Sequence, residues 1–207
     1  HGILRIITFV ALTQILVACA TTYPGRVIDA DTRQPVEGAV VVAEWLEEQG
    51  TPTGGSRRLH DVKEVLTDVK GEWTIKGPWG VRSESLEDVY IVLSMISFSH
   101  YTKVPTFIVF KPGYCSWPKG FQVDSCKGKI KPGGRDQVIE GEAVELPKLI
   151  SREDRMKNIP GYIYDTGGPM TANEIIRNQK EFIKLLDAES RSLGISEYKM
   201  KELENEK

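Results

Sequence analysis

The sequence predicts a mainly β protein, an antiparallel β-sandwich followed by a C-terminal α-helical extension. Three observations predict this fold class. Short β-branched or alternating segments recur between turn signals over residues 25–149. Charged residues then become frequent, and a helix-capping sequence opens an amphipathic segment at residue 171. The 207-residue chain is 40% hydrophobic and 27% charged, which supplies enough apolar material for a buried core.

An apolar segment precedes the expected sandwich. Residues 3–17 are mostly apolar, but the run is shorter than the ~20 residues that a membrane-spanning helix needs. One basic residue, a short apolar core and small residues are typical of a secretory signal. The run ends in Leu16-Val17-Ala18-Cys19, which resembles the lipobox of bacterial lipoproteins. That resemblance implies a signal peptide over residues 1–18, cleavage after Ala18 and lipidation of Cys19. A plain signal peptide or a buried helix is the alternative.

The lipobox resemblance also implies an address. Ala20 is not acidic, which in Gram-negative lipoproteins favours the outer membrane, facing the periplasm, over the inner membrane. Residues 19–24 then form a lipidated tether, whose last five residues reach at most ~18 Å when extended. The membrane, contacted through a lipid anchor, is the first expected partner of this bacterial cell-envelope protein, and several acyl chains give stable anchoring.

The strand signals follow directly. The segment 39–45 is β-branched and apolar on both faces, which predicts a strand buried on both sides. Asp31 and Pro35 lie in the turn before it, and the turn at residues 68–71 is expected to close a hairpin. The segments expected to form strands are residues 25–29, 39–45, 62–67, 72–76, 106–111 and 138–146.

Residues 25–149 resemble the carboxypeptidase regulatory-like domains. The resemblance depends on four short motifs in the expected order, Val27-x-Asp29-x-x-Thr32-x-x-Pro35-Val36-x-Gly38-Ala39-x-Val41, Thr67-Asp68-x-x-Gly71-x-Trp73, Lys111-Pro112-Gly113-Tyr114 and Val144-x-Leu146-x-x-Leu149. It implies a transthyretin-like sandwich of seven strands. The residues themselves predict that Gly71 takes a positive φ in the hairpin turn and that Trp73 fills the sandwich core. Such modules are mostly binding, spacer or stabilising domains, so a non-catalytic binding or structural role is the leading hypothesis.

An insert at about residues 78–104 departs from the family pattern. Its stretch 89–98 is very apolar, and the pattern fits either a capped helix or a strand. The stretch is too short to span a bilayer. Additional core is therefore favoured over a membrane-dipping or partner-binding patch.

Residues 150–207 are expected to form a charged helical extension. Thr171 and Glu174 have the spacing of a capping box, and Gly194 is a plausible end of the helix. A second short helix is expected to start near Ser196. We expect the amphipathic helix to pack on its own sandwich, and a docking surface for an envelope protein is the alternative. The residues expected on one face of the helix are Ile175, Ile176, Gln179, Phe182, Ile183 and Leu186.

Two cysteines remain besides Cys19. An exported compartment permits disulfides, so Cys115 and Cys126 are expected to be bridged across a short loop containing Pro118. Two free thiols are the alternative. A metal pair is disfavoured, because neither a histidine nor a third cysteine lies nearby in the sequence.

The sequence offers little catalytic chemistry. It lacks the common nucleophile-elbow, phosphate-loop, dinucleotide and zinc-protease motifs, so no cofactor or metal is expected. The net charge of -2 provides no basic excess for nucleic-acid binding. An enzyme of unknown type would depend on His60 or His100. His60 and Asp61 are adjacent, and adjacent residues of a strand point to opposite faces, which makes them a poor base–orienter pair.

Loop aromatics provide the alternative hypothesis of a carbohydrate- or peptidoglycan-binding lipoprotein. Exposed aromatic rings stack on sugars or on protein partners, although rings that cover the sandwich ends fit the same pattern. The candidate ligand-binding residues are Trp79, Tyr101, Tyr114 and Trp117. Four acidic residues near turns could bind calcium, but turn capping explains them more simply, and they are Asp29, Asp31, Glu37 and Asp68.

Overall fold

A computed structural model describes residues 21–49, 56–78, 101–131, 141–164 and 167–195. Several sequence predictions lie outside these residues, namely those on Cys19, Trp79, His100, the apolar stretch 89–98 and the helix after Ser196. No helix within the described ranges is long and apolar enough to cross a membrane.

The described strands form two sheets, which confirms the mainly β fold class. One sheet has the order β4-β1-β7 and the other β3-β2-β5, with β6 also paired to β2. The strands are β1 (Thr22–Asp29), β2 (Val40–Gln49), β3 (Ser56–Leu66), β4 (Glu72–Lys76), β5 (Tyr101–Thr102), β6 (Thr106–Phe110) and β7 (Ala143–Leu146).

Two details of strand pairing differ from the sequence prediction. β1 and β7 are parallel, whereas the remaining strand pairs described are antiparallel. The turn at residues 68–71 does not close a hairpin, because β3 pairs with β2 and β4 pairs with β1. This turn instead carries the chain from one sheet to the other. Gly71 has φ +72° and its carbonyl accepts the amide of Val27 at 2.8 Å, which fixes the crossing.

The first core lies between the two sheets and is rich in aromatic side chains. Tyr23, Trp45, Trp73 and Phe107 are buried together with aliphatic residues from both sheets. The ring centroids of Trp73 and Phe107 are 5.3 Å apart, and those of Tyr23 and Trp45 are 6.1 Å apart. Trp73 therefore fills the core, as the sequence predicts.

β2 is buried on both faces, which confirms the interpretation of its continuous apolar pattern. Val41 and Ala43 point into the first core, whereas Val40 and Val42 point into a second core. That second core lies between the β2-containing sheet and a layer of helices, with Phe182 and Leu186 fully buried in it. The helical extension is thus a third layer of the molecule, packed on its own sandwich.

The helical layer contains α1 (Arg152–Asn158), α2 (Ala172–Arg177) and α3 (Lys180–Ser192). The capping box of Thr171 and Glu174 is present at α2. The expected single amphipathic helix is two helices, because the chain breaks at Gln179. The buried amide of Gln179 accepts the backbone N–H of Ile163 and donates to its carbonyl oxygen.

The loop after β6 closes one side of the sandwich. Cys115 and Cys126 form the expected disulfide. Near the start of this loop Trp117 pairs with Val109 of β6, and at its end Lys131 pairs with Glu145 of β7. The loop therefore connects the two sheets across their open edge.

Candidate functional site

The buried carboxylate of Asp29 is the centre of the best-defined polar cluster. Asp29 ends β1 and is 2% exposed. Its Oδ1 accepts the backbone amides of Asp31 at 2.9 Å and Thr32 at 2.8 Å. Its Oδ2 lies 3.2 Å from the Tyr114 hydroxyl, which donates to it, and 3.5 Å from Nζ of Lys148. Turn capping thus accounts for Asp29, as the simpler sequence interpretation holds.

The surroundings of Asp29 favour the ionised form of its carboxyl group. Burial by itself raises the pKa of Asp29, but the hydrogen bonds from Thr32, Asp31 and Tyr114 outweigh it and lower the pKa. Burial and the neighbouring Asp29 carboxylate raise the pKa of the Tyr114 phenol, so the phenol stays protonated at neutral pH. The Tyr114 phenol is therefore a hydrogen-bond donor here and not a nucleophile.

Further cations surround the same end of β7. Lys148 Nζ lies 5.7 Å from the centre of the Tyr114 ring, in a cation–π arrangement. Glu145 directly precedes Leu146, the strand partner of Asp29. Its carboxylate pairs with Arg33 at 2.5 Å and with Lys131 at 3.7 Å. The cluster therefore has neutralised carboxylates beneath and exposed ammonium and guanidinium groups above. This arrangement can order loops and present cations, and it lacks a free base.

Tyr114 is the candidate aromatic residue that the structure places in this cluster. Trp117 is 1% exposed and belongs to the first core, so the prediction that it stacks on a ligand is wrong. Its position beside β6 turns the ring inward, against Phe121. Tyr101 forms the short β5 with Thr102.

A second aromatic pair was missed by the sequence interpretation. Tyr164 is 71% exposed, and its ring meets that of Tyr162 edge-to-face at a centroid distance of 6.4 Å. The signal was the Tyr-x-Tyr spacing before Gly167 and Gly168. The glycines and prolines around it predict turns, which hides this signal.

β2 and β3 continue together past Trp45, and the described residues there form a charged tip. In it, Nδ1 of His60 lies 2.7 Å from Oε1 of Glu47, whose other oxygen accepts from Arg58 at 2.6 Å. Asp61 pairs instead with Lys63 at 3.2 Å, in keeping with strand alternation. Glu48 completes the tip, and it pairs with Arg57 and Lys103.

The pKa values of both tip glutamates are lowered. Burial raises the pKa of Glu47, but Arg58 and His60 lower it by more. For Glu48, burial is likewise outweighed by Lys103 and Arg57. Both carboxylates are therefore ionised at neutral pH and are engaged with cations. His60 has a carboxylate partner, although the partner is Glu47 and not the adjacent Asp61.

Among the residues that the structure describes, no group of three or more His, Cys, Asp or Glu is arranged to hold a metal ion. No protein-family profile, no curated protein and no solved structure matches this chain.

Proposed function

We propose that this protein is a lipid-anchored, non-catalytic binding or structural module of the bacterial cell envelope. The observation that carries the proposal is the start of the folded part. Only Ala20 and Thr21 separate Cys19 of the lipobox-like sequence from β1. An acylated Cys19 would hold a rigid three-layered domain directly at a membrane surface, with almost no flexible spacer.

The architecture supports a transthyretin-like, carboxypeptidase regulatory-like sandwich as the folded part. The first strand lies between the fourth and the last, with a parallel first–last pair, and the second strand lies between the third and the sixth. The motif residues serve the fold: Gly38 and Gly71 have positive φ, and Trp73 is in the core. Because these motif residues serve the fold, they favour a structural module over an enzyme.

The disulfide supports an exported location. Cys115 and Cys126 close a loop of the folded domain. Structural disulfides persist in oxidising compartments such as the bacterial periplasm. An outer-membrane location facing the periplasm fits both the bridge and the non-acidic Ala20.

Lipidation of Cys19 is the decisive test. The chain is expressed in a Gram-negative host from a start codon before His1 and labelled with an alkyne fatty acid. We expect label on the wild-type chain and an intact mass of acylated residues 19–207, because the lipobox directs acylation and cleavage at Cys19. Cys19→Ala should lose the label and keep the leader, whereas the Cys115→Ala/Cys126→Ala control should keep the label. An unlabelled wild-type chain refutes the proposal.

A glycan-binding role has one observation in its favour, the exposed Tyr164 ring supported by Tyr162. Aromatic faces stack on sugars. Binding would be measured by co-sedimentation of the lipidated protein with purified peptidoglycan sacculi. Under this hypothesis Tyr164→Ala abolishes pelleting, whereas the exposed apolar control Val69→Ala pellets like wild type. Absence of pelleting by the wild-type protein contradicts it.

A further inference from the structure

The charged tip defined above lies at the same end of the molecule as the tether. Gly77, just after β4, donates its amide to the carbonyl of Thr21 at 2.8 Å. An added Cβ at Gly77 would lie 3.5 Å from the Trp45 ring, so Trp45 is level with the start of β1. β2 and β3 continue past Trp45, and their last pair is Gln49 with Ser56. Four residues of β2 therefore project about 13 Å beyond Trp45, in the direction of the tether.

The part of the tether that leads into β1 is no longer than this projection. Residues 19–22 span at most about 11 Å when fully extended. An acylated Cys19 lies at the level of the lipid headgroups. An upright domain therefore places the projecting tip within reach of the bilayer surface, and an attraction between the two would hold it there.

The outward groups of the tip are cations. The side chains of Glu47 and Glu48 are 13% and 14% exposed, whereas those of Arg57, Arg58 and Lys103 are 66%, 39% and 26% exposed. The carboxylates thus lie beneath the guanidinium and ammonium groups. Among the described residues of the tip, the charged groups most open to an approaching surface are therefore the cations.

We infer that the charged tip of β2 and β3 docks on anionic phospholipid headgroups of the bilayer that holds the anchor. The inference rests on the proposed lipid anchor. Arg57 and Arg58 supply the contacts, since guanidinium groups bind phosphate oxygens in a forked geometry. The opposite end, with Tyr114 and Lys148, then faces away from the membrane.

Screening separates the two ends electrostatically. β1 is 8 residues long, so its far end lies about 23 Å from its start. Charge interactions fade over about 8 Å at physiological ionic strength. The membrane surface therefore attracts the tip and leaves the Asp29 cluster unaffected.

The orientation is tested with the full lipidated chain in vesicles that contain a lipid carrying a nitroxide on its headgroup. A fluorophore is attached through Ser56→Cys at the tip or Lys70→Cys in the turn at the opposite end. We expect strong nitroxide quenching at position 56 and several-fold weaker quenching at position 70. Equal quenching at both positions overturns the inference. The acyl mass of the same sample reports separately whether the anchor is present.

The chemistry is tested with lipid composition and charge variants of the Ser56→Cys chain. Quenching should be strong in vesicles of phosphatidylethanolamine and phosphatidylglycerol, and weak in phosphatidylcholine alone. Each neutralised cation should weaken docking roughly fivefold, so Arg57→Gln/Arg58→Gln approaches the phosphatidylcholine level. Lys127→Gln/Lys129→Gln, the matched control on the disulfide loop, should not.

A salt titration needs no charge substitution at the tip. Added KCl should release the tip from anionic vesicles, because ions screen the attraction between the cations and the headgroups. Quenching at position 56 that changes with neither the lipid charge nor the salt concentration contradicts headgroup recognition.

Discussion

At the scale of single residues, the Asp29 carboxylate is the shared acceptor of three hydrogen bonds. Replacing it with Ala leaves the amides of Asp31 and Thr32 and the Tyr114 hydroxyl without their acceptor. We expect Asp29→Ala to lower the free energy of unfolding by about 1–3 kcal/mol, measured by urea denaturation at pH 7. Asp31→Ala, at an exposed position of the same turn, is the control and should cost little. Equal losses in both variants would contradict the role given to Asp29.

The dependence of the unfolding free energy on acidic pH gives a second prediction at the scale of single residues. The pKa of Asp29 in the folded protein is below its ordinary value of 3.8. The stability that depends on its charge is therefore complete above that value and is lost as the pH falls through the lower, folded pKa. Asp29→Asn keeps an oxygen acceptor but cannot titrate. The stability difference between wild type and Asp29→Asn should shrink below pH 4, and a difference that stays constant with pH is the contrary result.

Residue-scale function was only partly predictable from the sequence. Tyr114, a candidate binding residue from the sequence, contributes its hydroxyl to the Asp29 cluster, and the Pro-Gly turn directly before it is the local signal for its place in a loop. Trp117 was expected in the same loop but is core, because the loop pairs with β6 and turns that ring inward. Such pairing is a contact between distant segments, and local pattern does not encode it.

At the scale of elements, α3 is capped by a neighbouring strand. Gln179 directly precedes α3, but its side chain hydrogen-bonds the backbone of Ile163 and does not cap the helix. Glu64 of β3 supplies the cap instead, accepting the amides of Glu181 at 2.7 Å and Phe182 at 2.8 Å. A carboxylate at a helix N-terminus accepts hydrogen bonds from the free amides and interacts favourably with the positive end of the helix dipole.

Removing this cap should loosen the third layer. We expect Glu64→Ala to cost about 1–2 kcal/mol of unfolding free energy and to speed amide hydrogen exchange in the first turn of α3. Glu72→Ala, at an exposed position of β4, should leave that exchange unchanged. Unchanged exchange in Glu64→Ala would show that α3 is held without the cap.

Gly168 fixes the approach of the segment before α2 to β3. An added Cβ would lie 1.6 Å from the Leu59 carbonyl oxygen, a backbone atom that cannot move aside. Gly168→Ala should therefore cost about 3 kcal/mol in chemical denaturation, at the upper end for overpacking. Gly161→Ala is the matched control, because a Cβ there meets nothing within 4 Å. Wild-type stability in Gly168→Ala would refute the close approach.

Most elements were predictable, and their partners were less so. Alternation identified β4 with its observed bounds, and continuous apolar character identified β2 as buried on both faces. The break between α2 and α3 was not predictable, because it depends on Gln179 reaching Ile163 across the fold. The same holds for the turn at residues 68–71, whose sequence fits a hairpin but whose strands belong to different sheets.

At the scale of the whole molecule, the disulfide restrains the loop that joins the two sheets. Cys115 and Cys126 are 11 positions apart. For a loop of this length the chain-entropy estimate is about 3 kcal/mol. Reduction with dithiothreitol should lower the unfolding free energy by that amount, and it should have no effect on Cys115→Ala/Cys126→Ala. A reduced wild type as stable as the oxidised one would contradict this role.

The parallel pairing of β1 with β7 has a consequence for the order of folding. β1 is the first of the described strands along the chain, yet its neighbours β4 and β7 end at Lys76 and Leu146. Until the segment that ends at Leu146 is in place, one edge of β1 stays unpaired and the first core stays open along that side. Because contacts between segments far apart in the sequence form slowly, the sandwich is completed only when β7 has joined β1. The unpaired edge of β1 is therefore the place where a partly folded chain is most open to pairing with another strand.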